Sequence, residues 1–236
     1  MKNKVSHEGH RQRLKNRFLS SSLNSFEPHN ILELLLFYSI PRQDTNEIAH
    51  ALLDRFGTIK GVFDADFTEL IKIPGIKENS ATLIKMIPQL SRIYMMDAVS
   101  EDKILDTADK VGNYLTSKFI GETNEVVYLL ILDNRFQLLD SVRLVEGSVN
   151  SSLISPRKIL DEVTKRGAST AIIAHNHPNG LAIPSMEDID TTAALSSALE
   201  MFDIFLIEHF VVAGDKYVPI MHTTSMHTFN APKLRF

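Results

Sequence analysis

The stretch AHNHPNGLAIPSMED, residues 174–188, sets two histidines one residue apart and follows them with a serine and an aspartate. Side chains alternate across a strand, so His175 and His177 share one face while Asn176 points to the other. Two imidazoles so placed at a strand end can hold one ion. Asp188, three residues after Ser185 in the first turn of the next helix, can fold back as a third ligand. Two histidines and a carboxylate leave a fourth tetrahedral position for water, as a catalytic zinc site requires, and zinc brings the pKa of that water to about 7. A metal-free reading covers part of the same stretch. SMED is nearly a capping box, in which Ser185 bonds a free helix N–H and Asp188 sits favourably in the first turn. It accounts for Ser185 and Asp188, but not for two histidines on one strand face.

Hydrolysis at such a site needs a group that takes and returns the water's proton. Glu146, closing LVEG ahead of Gly147, is the candidate, with an exposed strand-end carboxylate as the alternative reading. Glu208 and His209 form a second polar pair inside the apolar stretch FLIEHFVV. Neighbours alternate, so only one of the two can face the site, whether to support a ligand from behind or to make a core hydrogen bond.

Composition bounds the chemistry further. The chain has no cysteine, which excludes disulfides, thiolate nucleophiles and sulfur-bound metals. Any metal must be held by nitrogen and oxygen, and zinc deaminase chemistry, which expects cysteine ligands, is disfavoured. With 236 residues, 44% of them hydrophobic and 23% charged, an ordinary globular protein of two small domains is expected. The segment MKNKVSHEGHRQRLKNRF lacks the apolar core of a secretory signal. The runs ILELLLFYSI and VVYLLIL fall short of the roughly 20 residues that span a bilayer, so no membrane association and a cytoplasmic location are expected. Charge is uneven: residues 1–98 hold 13 Lys/Arg against 11 Asp/Glu, and the remainder 12 against 18. The excess positive charge before Phe26 suits an acidic partner or a solvated amphipathic helix.

The elements that must position these residues follow from periodicity. PHNILELLLFYSI and DTNEIAHALLDRF carry apolar residues at helical spacing, the second with Asp44 as N-cap and Gly57 as stop. DFTELIKIPGIKENSATLIKMIPQLSRIYM predicts helix, tight turn and helix, with Gly75 at a positive φ. DAVSEDKILDTAD reads as a linker. Beyond it, KVGNYLTSKFI is a helix, NEVVYLLILD and FQLLDSVRLVEG are a strand pair turning at Asn134 and Arg135, and SPRKILDEVTKRG is a helix with Pro156 in its first turn. STAIIAHNH predicts a buried strand, PSMEDIDTTAALSSALEMF a long helix, and DIFLIEHFVVAGDKYVPI a hairpin at Gly214 and Asp215.

At this point the chain resembles a known group. HNHPNGLAIPSMED is similar to the JAMM motif of MPN-domain metalloproteins, and EGSVNSSLISPRKIL with HNHPNG and PSMEDID resembles the bacterial RadC-like branch (UPF0758 type). EGHRQRL, LELLLFYSIPRQDTNEIAHALLDRFG and IPGIK resemble the same family, so the likeness covers nearly the whole chain. It implies an α+β architecture: a helical, helix-hairpin-helix-like domain over residues 1–98, a linker and start of the next domain over 99–112, and an MPN domain over 113–236, with a mixed sheet flanked by helices. It further implies His175, His177 and Asp188 as zinc ligands, Ser185 as the oxyanion-side serine, and hydrolysis of peptide or isopeptide bonds in a protein or peptide substrate. Glu146 is a weaker transfer. In the mechanism so implied, Glu146 takes the water's proton and returns it to the leaving amine, and Ser185 steadies the oxyanion.

A second function, from another class, is a DNA-associated repair accessory protein whose helical module grips the DNA backbone through hairpin amides. Gly75 and Lys77 would be its contact residues, though Lys77 stands where the hairpin pattern prefers a second glycine. A structural or protein-contacting helical unit fits the slightly basic domain at least as well. A third is an idle MPN scaffold that binds partners, against which the intact ligand set argues.

Overall fold

A computed structural model describes residues 7–100, 104–146, 154–226 and 232–236, with the side chains of residues 7, 8, 98–100 and 146 outside that description. The described residues form ten helices and one five-stranded sheet, a mixed α+β architecture. The chain divides into two compact units, Met1–Leu90 and Ser91–Phe236.

The first unit is helical: α1 (His7–Ser21), α2 (Pro28–Leu36), α3 (Asn46–Phe56), α4 (Ile59–Asp64), α5 (Phe67–Leu70) and the start of α6 (Glu78–Ser100). Leu32 and Leu36 of α2, Ala49 and Leu52 of α3, Val62, Leu70 and Ile84 are fully buried in its core. The cap of α3 is Thr45, one residue later than sequence suggests; Asp44 accepts instead from the Asn46 amide at 2.9 Å. Part of the basic cluster is used internally. Arg11 reaches the carbonyls of Ile40 and Gln43, both at 2.5 Å, beyond the end of α2, and Arg17 donates to the Ser25 carbonyl. The segment read as a linker is helical at its start, because α6 runs on to Ser100 with no Pro or Gly after Pro88 to stop it.

In the second unit, α7 (Ala108–Lys118) precedes β1 (Val126–Leu132) and β2 (Leu138–Glu146); α8 (Pro156–Lys165), β3 (Thr170–Asn176), α9 (Met186–Glu200), β4 (Phe205–Ala213), β5 (Lys216–Pro219) and α10 (Ile220–Thr223) follow. The sheet order is β2-β1-β3-β4-β5, with β3 and β4 parallel and the other neighbours antiparallel. The parallel pair is joined through α9, as a crossover helix requires. Both faces are covered, so β1 and β3 are buried throughout. Val126, Tyr128 and Leu130 of β1, with Ile172 and Ala174 of β3, pack with Val111 and Leu115 of α7. The alternate residues Val127, Leu129, Ile131, Ala171 and Ile173 pack with Ile159 of α8 and Leu195 of α9.

Candidate metal centre

His175 extends the Ala171–Ile173 row by one step of two, so it faces the α8 and α9 side of the sheet. His177 lies just past β3, but its amide donates to the Val212 carbonyl at 2.7 Å, which carries the ladder one residue further. Asn176 points to the other face, where its Oδ1 accepts from the Val126 amide at 2.7 Å and its Nδ2 donates to the Asn124 carbonyl at 3.0 Å. It pins the end of β3 to the start of β1. With the strand fixed in this way, the Nε2 atoms of His175 and His177 stand 3.1 Å apart. The Nδ1 of His177 lies 2.9 Å from the Leu181 carbonyl. A carbonyl only accepts, so Nδ1 carries a hydrogen, and in the neutral ring Nε2 presents its lone pair.

The aspartate arrives from α9. Ser185 is the N-cap and forms a full capping box with Asp188, which is 9% exposed. Asp188 divides its carboxylate. Oδ2 accepts from the Ser185 amide at 2.8 Å and hydroxyl at 2.7 Å, while Oδ1 lies 3.3 Å from His175 Nε2. The capped-helix reading and the ligand reading therefore use different oxygens of one residue. Burial pushes the Asp188 carboxyl upward, but His175 in its protonated form and the two Ser185 donors outweigh it and hold the group well below the ordinary carboxylate range. One ligand atom from each of His175, His177 and Asp188 lies within 4.8 Å of the others, a spacing that could hold a metal ion.

Behind His175 stands His209, its Nε2 2.9 Å from His175 Nδ1 and its Nδ1 2.6 Å from Thr192 Oγ1. Burial pushes the His209 pKa well below its ordinary value. Thr192 Oγ1 also lies 2.6 Å from the Asp188 carbonyl, one turn earlier on α9. Alternation could not say which of Glu208 and His209 faces the site; a β-bulge decides it. Ala171 pairs with Leu206 but Ile172 pairs with Glu208, leaving Ile207 extra. Leu206 packs on the α8 and α9 side and Ile207 on the α7 side, so strict alternation from Leu206 would aim Glu208 at His175. The extra residue turns His209 there instead. Glu208 accepts from the amides of His209 (2.8 Å), Met221 (2.7 Å) and His222 (3.0 Å), tying β4 to α10. Burial outweighs these three donors and pushes its pKa up to about 7.

Glu146 ends β2 opposite Val126, and its side chain lies outside the described residues. Gly75 and Lys77 belong to the first unit and not to this cluster. Gly75 has φ +92°, and a Cβ there would stand 2.5 Å from Ile48 Cδ1, so close packing and a tight turn already require glycine. The supporting residues His209 and Thr192 were legible only as a polar pair member and a helix threonine. Their partnership depends on a bulge that has no sequence signature.

The fold and the donor cluster define an α+β domain of the JAB or MPN-like class, with a group that could bind metal at the carboxyl end of a parallel strand. Residues 105–225 match the family described as the RadC-like JAB domain. The UPF0758 protein FN0909 of Fusobacterium nucleatum subsp. nucleatum is 34% identical over 217 residues, covering 89% of this chain and 94% of that protein. The chain belongs to the RadC family. None of its described helices is long and apolar enough to cross a membrane.

Proposed function

We propose that the protein is a zinc-dependent hydrolase of peptide or isopeptide bonds. The observation that carries the reading is the convergence of two imidazoles and a carboxylate within 4.8 Å of one another at the end of β3. Two nitrogens and one oxygen, with no thiolate in the chain, suit a catalytic zinc that keeps one position open. When bound, the ion supplies Lewis acidity and lowers the pKa of a coordinated water to about 7. Glu146 is the proposed proton carrier between that water and the leaving amine. Ser185, exposed at the head of α9, would trade its hydrogen bond to Asp188 for one to the developing oxyanion. A cleft of about 550 Å³ beside His177, lined by residues 123–125 and 177–180, gives room for a chain. Leu181, Ile183 and Met186, all exposed between the two ligand elements, offer apolar contacts to a polypeptide.

The test is metal analysis of the purified protein beside His175→Ala and Asp188→Ala, with peptide and isopeptide cleavage assayed on all three and on Glu146→Gln. Zinc near one equivalent in wild type, lost in both ligand variants, with cleavage confined to wild type, supports the reading. Wild type carrying no more zinc than the variants overturns it.

A further inference from the structure

We infer that His209 and Thr192 are positioning residues that dictate which nitrogen of His175 is free to bind a metal; the inference rests on the metal site proposed above. The chain of contacts has a forced direction. The 2.6 Å contact between Thr192 Oγ1 and the Asp188 carbonyl can be made only with the hydroxyl donating, because a carbonyl has no hydrogen to give. That uses the single hydroxyl proton. The equally short contact between Thr192 Oγ1 and His209 Nδ1 must then be donated by the imidazole. Above the ordinary histidine titration range a ring is neutral and has one N–H, so His209 Nε2 is bare there. It faces His175 Nδ1 at 2.9 Å, and His175 must therefore hold its hydrogen on Nδ1. Its Nε2 is left bare, 3.1 Å from the bare Nε2 of His177 and 3.3 Å from Asp188 Oδ1.

The result is three acceptors with no hydrogen among them, an arrangement that like-signed lone pairs resist and a cation relieves. The chain also closes on itself: it starts at the backbone of one ligand, Asp188 on α9, passes through Thr192 and then His209 on β4, and ends on the ring of another ligand, His175 on β3. Thr192, His209 and His175 are each at most 2% exposed, so water does not compete for these bonds. A ring nitrogen fixed by a partner on its far side is the usual way in which proteins select a metal-binding tautomer. Here the partner is a second imidazole, itself ambiguous, and a threonine resolves it.

The experiment compares the full chain as wild type, Thr192→Val and Thr192→Ser. Valine keeps the shape and removes the hydroxyl; serine restores it. Long-range 1H–15N imidazole spectra of the zinc-free proteins at mildly alkaline pH read the tautomers, and competition with a chromophoric chelator reads zinc affinity. In wild type and Thr192→Ser, His175 should be the Nδ1–H tautomer. In Thr192→Val the His209 hydrogen is released to move to Nε2, His175 should gain Nε2–H character, and zinc affinity should fall 10- to 100-fold, with the serine variant near wild type. An unchanged His175 tautomer together with unchanged zinc affinity in Thr192→Val overturns the inference. Should wild type bind no zinc, the metal-site reading falls, and the tautomer spectra still decide the role of the pair.

Discussion

Ser185 and Asp188 hold each other by three hydrogen bonds: the serine amide and hydroxyl both donate to Oδ2, and the aspartate amide donates to the serine Oγ at 3.1 Å. The start of α9 and the carboxylate of the candidate metal centre are thus one unit. The third candidate ligand owes its position to a helix cap.

Ser185→Ala should therefore cost stability even without metal. Loss of an N-cap side chain costs about 1 kcal/mol, read as a lower urea midpoint in chelator. Under the hydrolase proposal the same variant should also lower kcat with KM nearly unchanged, since the oxyanion contact exists only in the transition state. A midpoint equal to that of wild type would show that the box contributes nothing.

Metal removal should leave the protein folded. Structural zinc modules unfold on chelation because their site is their core. Here the ligand elements sit on two apolar layers, and Asp188 is held by its cap. Chelator treatment should keep the far-ultraviolet circular dichroism and a cooperative melt, at a Tm lowered by the lost binding energy. Collapse of the helical signal on chelation would contradict this.

Glu208 predicts a pH dependence of opposite sense to that of an ordinary paired carboxylate. Its pKa is raised by burial from 4.5 to about 7, so below pH 4.5 both folded and unfolded states hold the proton and its contribution is fully present. As pH rises from 4.5 to 7 only the unfolded state releases the proton, and about 3 kcal/mol of stability is lost across that window. The stability difference between wild type and Glu208→Gln should shift against wild type by that amount between pH 4.5 and 7.5, measured by denaturant unfolding. A difference independent of pH would mean that the three amide donors compensate the burial.

Gly75 and Lys77 can be separated by substitution. Gly75→Ala must place a side chain at φ +92° against Ile48 and should destabilise the first unit by about 1–3 kcal/mol, whatever the unit binds. Lys77→Ala should leave stability nearly unchanged. Were the DNA-associated reading to hold, Lys77→Ala would weaken binding and lower its salt dependence. Wild type without salt-sensitive DNA affinity would remove that reading.

Much of the second unit was legible because its signals are local. The apolar run of STAIIAHNH and the turn at Gly214, which has φ +62°, place β3, β4 and β5, and the alternation of side chains along a strand puts His175 and His177 on one face. The serine and aspartate at the head of α9 were legible as a cap and as a candidate ligand together, but not the way one carboxylate is divided between the two, which is a matter of angle. The extent of α6 was missed: DAVS has linker composition, yet nothing in it ends a helix already running. His209 was undecidable for a different reason. Its direction depends on pairing between β3 and β4, separated by the whole of α9, and no count along β4 reveals where a register slips.

That slip has a practical consequence for anyone wishing to move the site. Grafting the HNH strand and the SMED helix onto another parallel pair would carry all three donor groups and leave the back of His175 without the imidazole that meets it here. The graft must include β4 with Ile207 unpaired against β3. Conversely, a register in which Ile207 paired with Ile172 would slide Glu208 into the place of His209 and remove the support behind His175 without altering a single residue of the cluster.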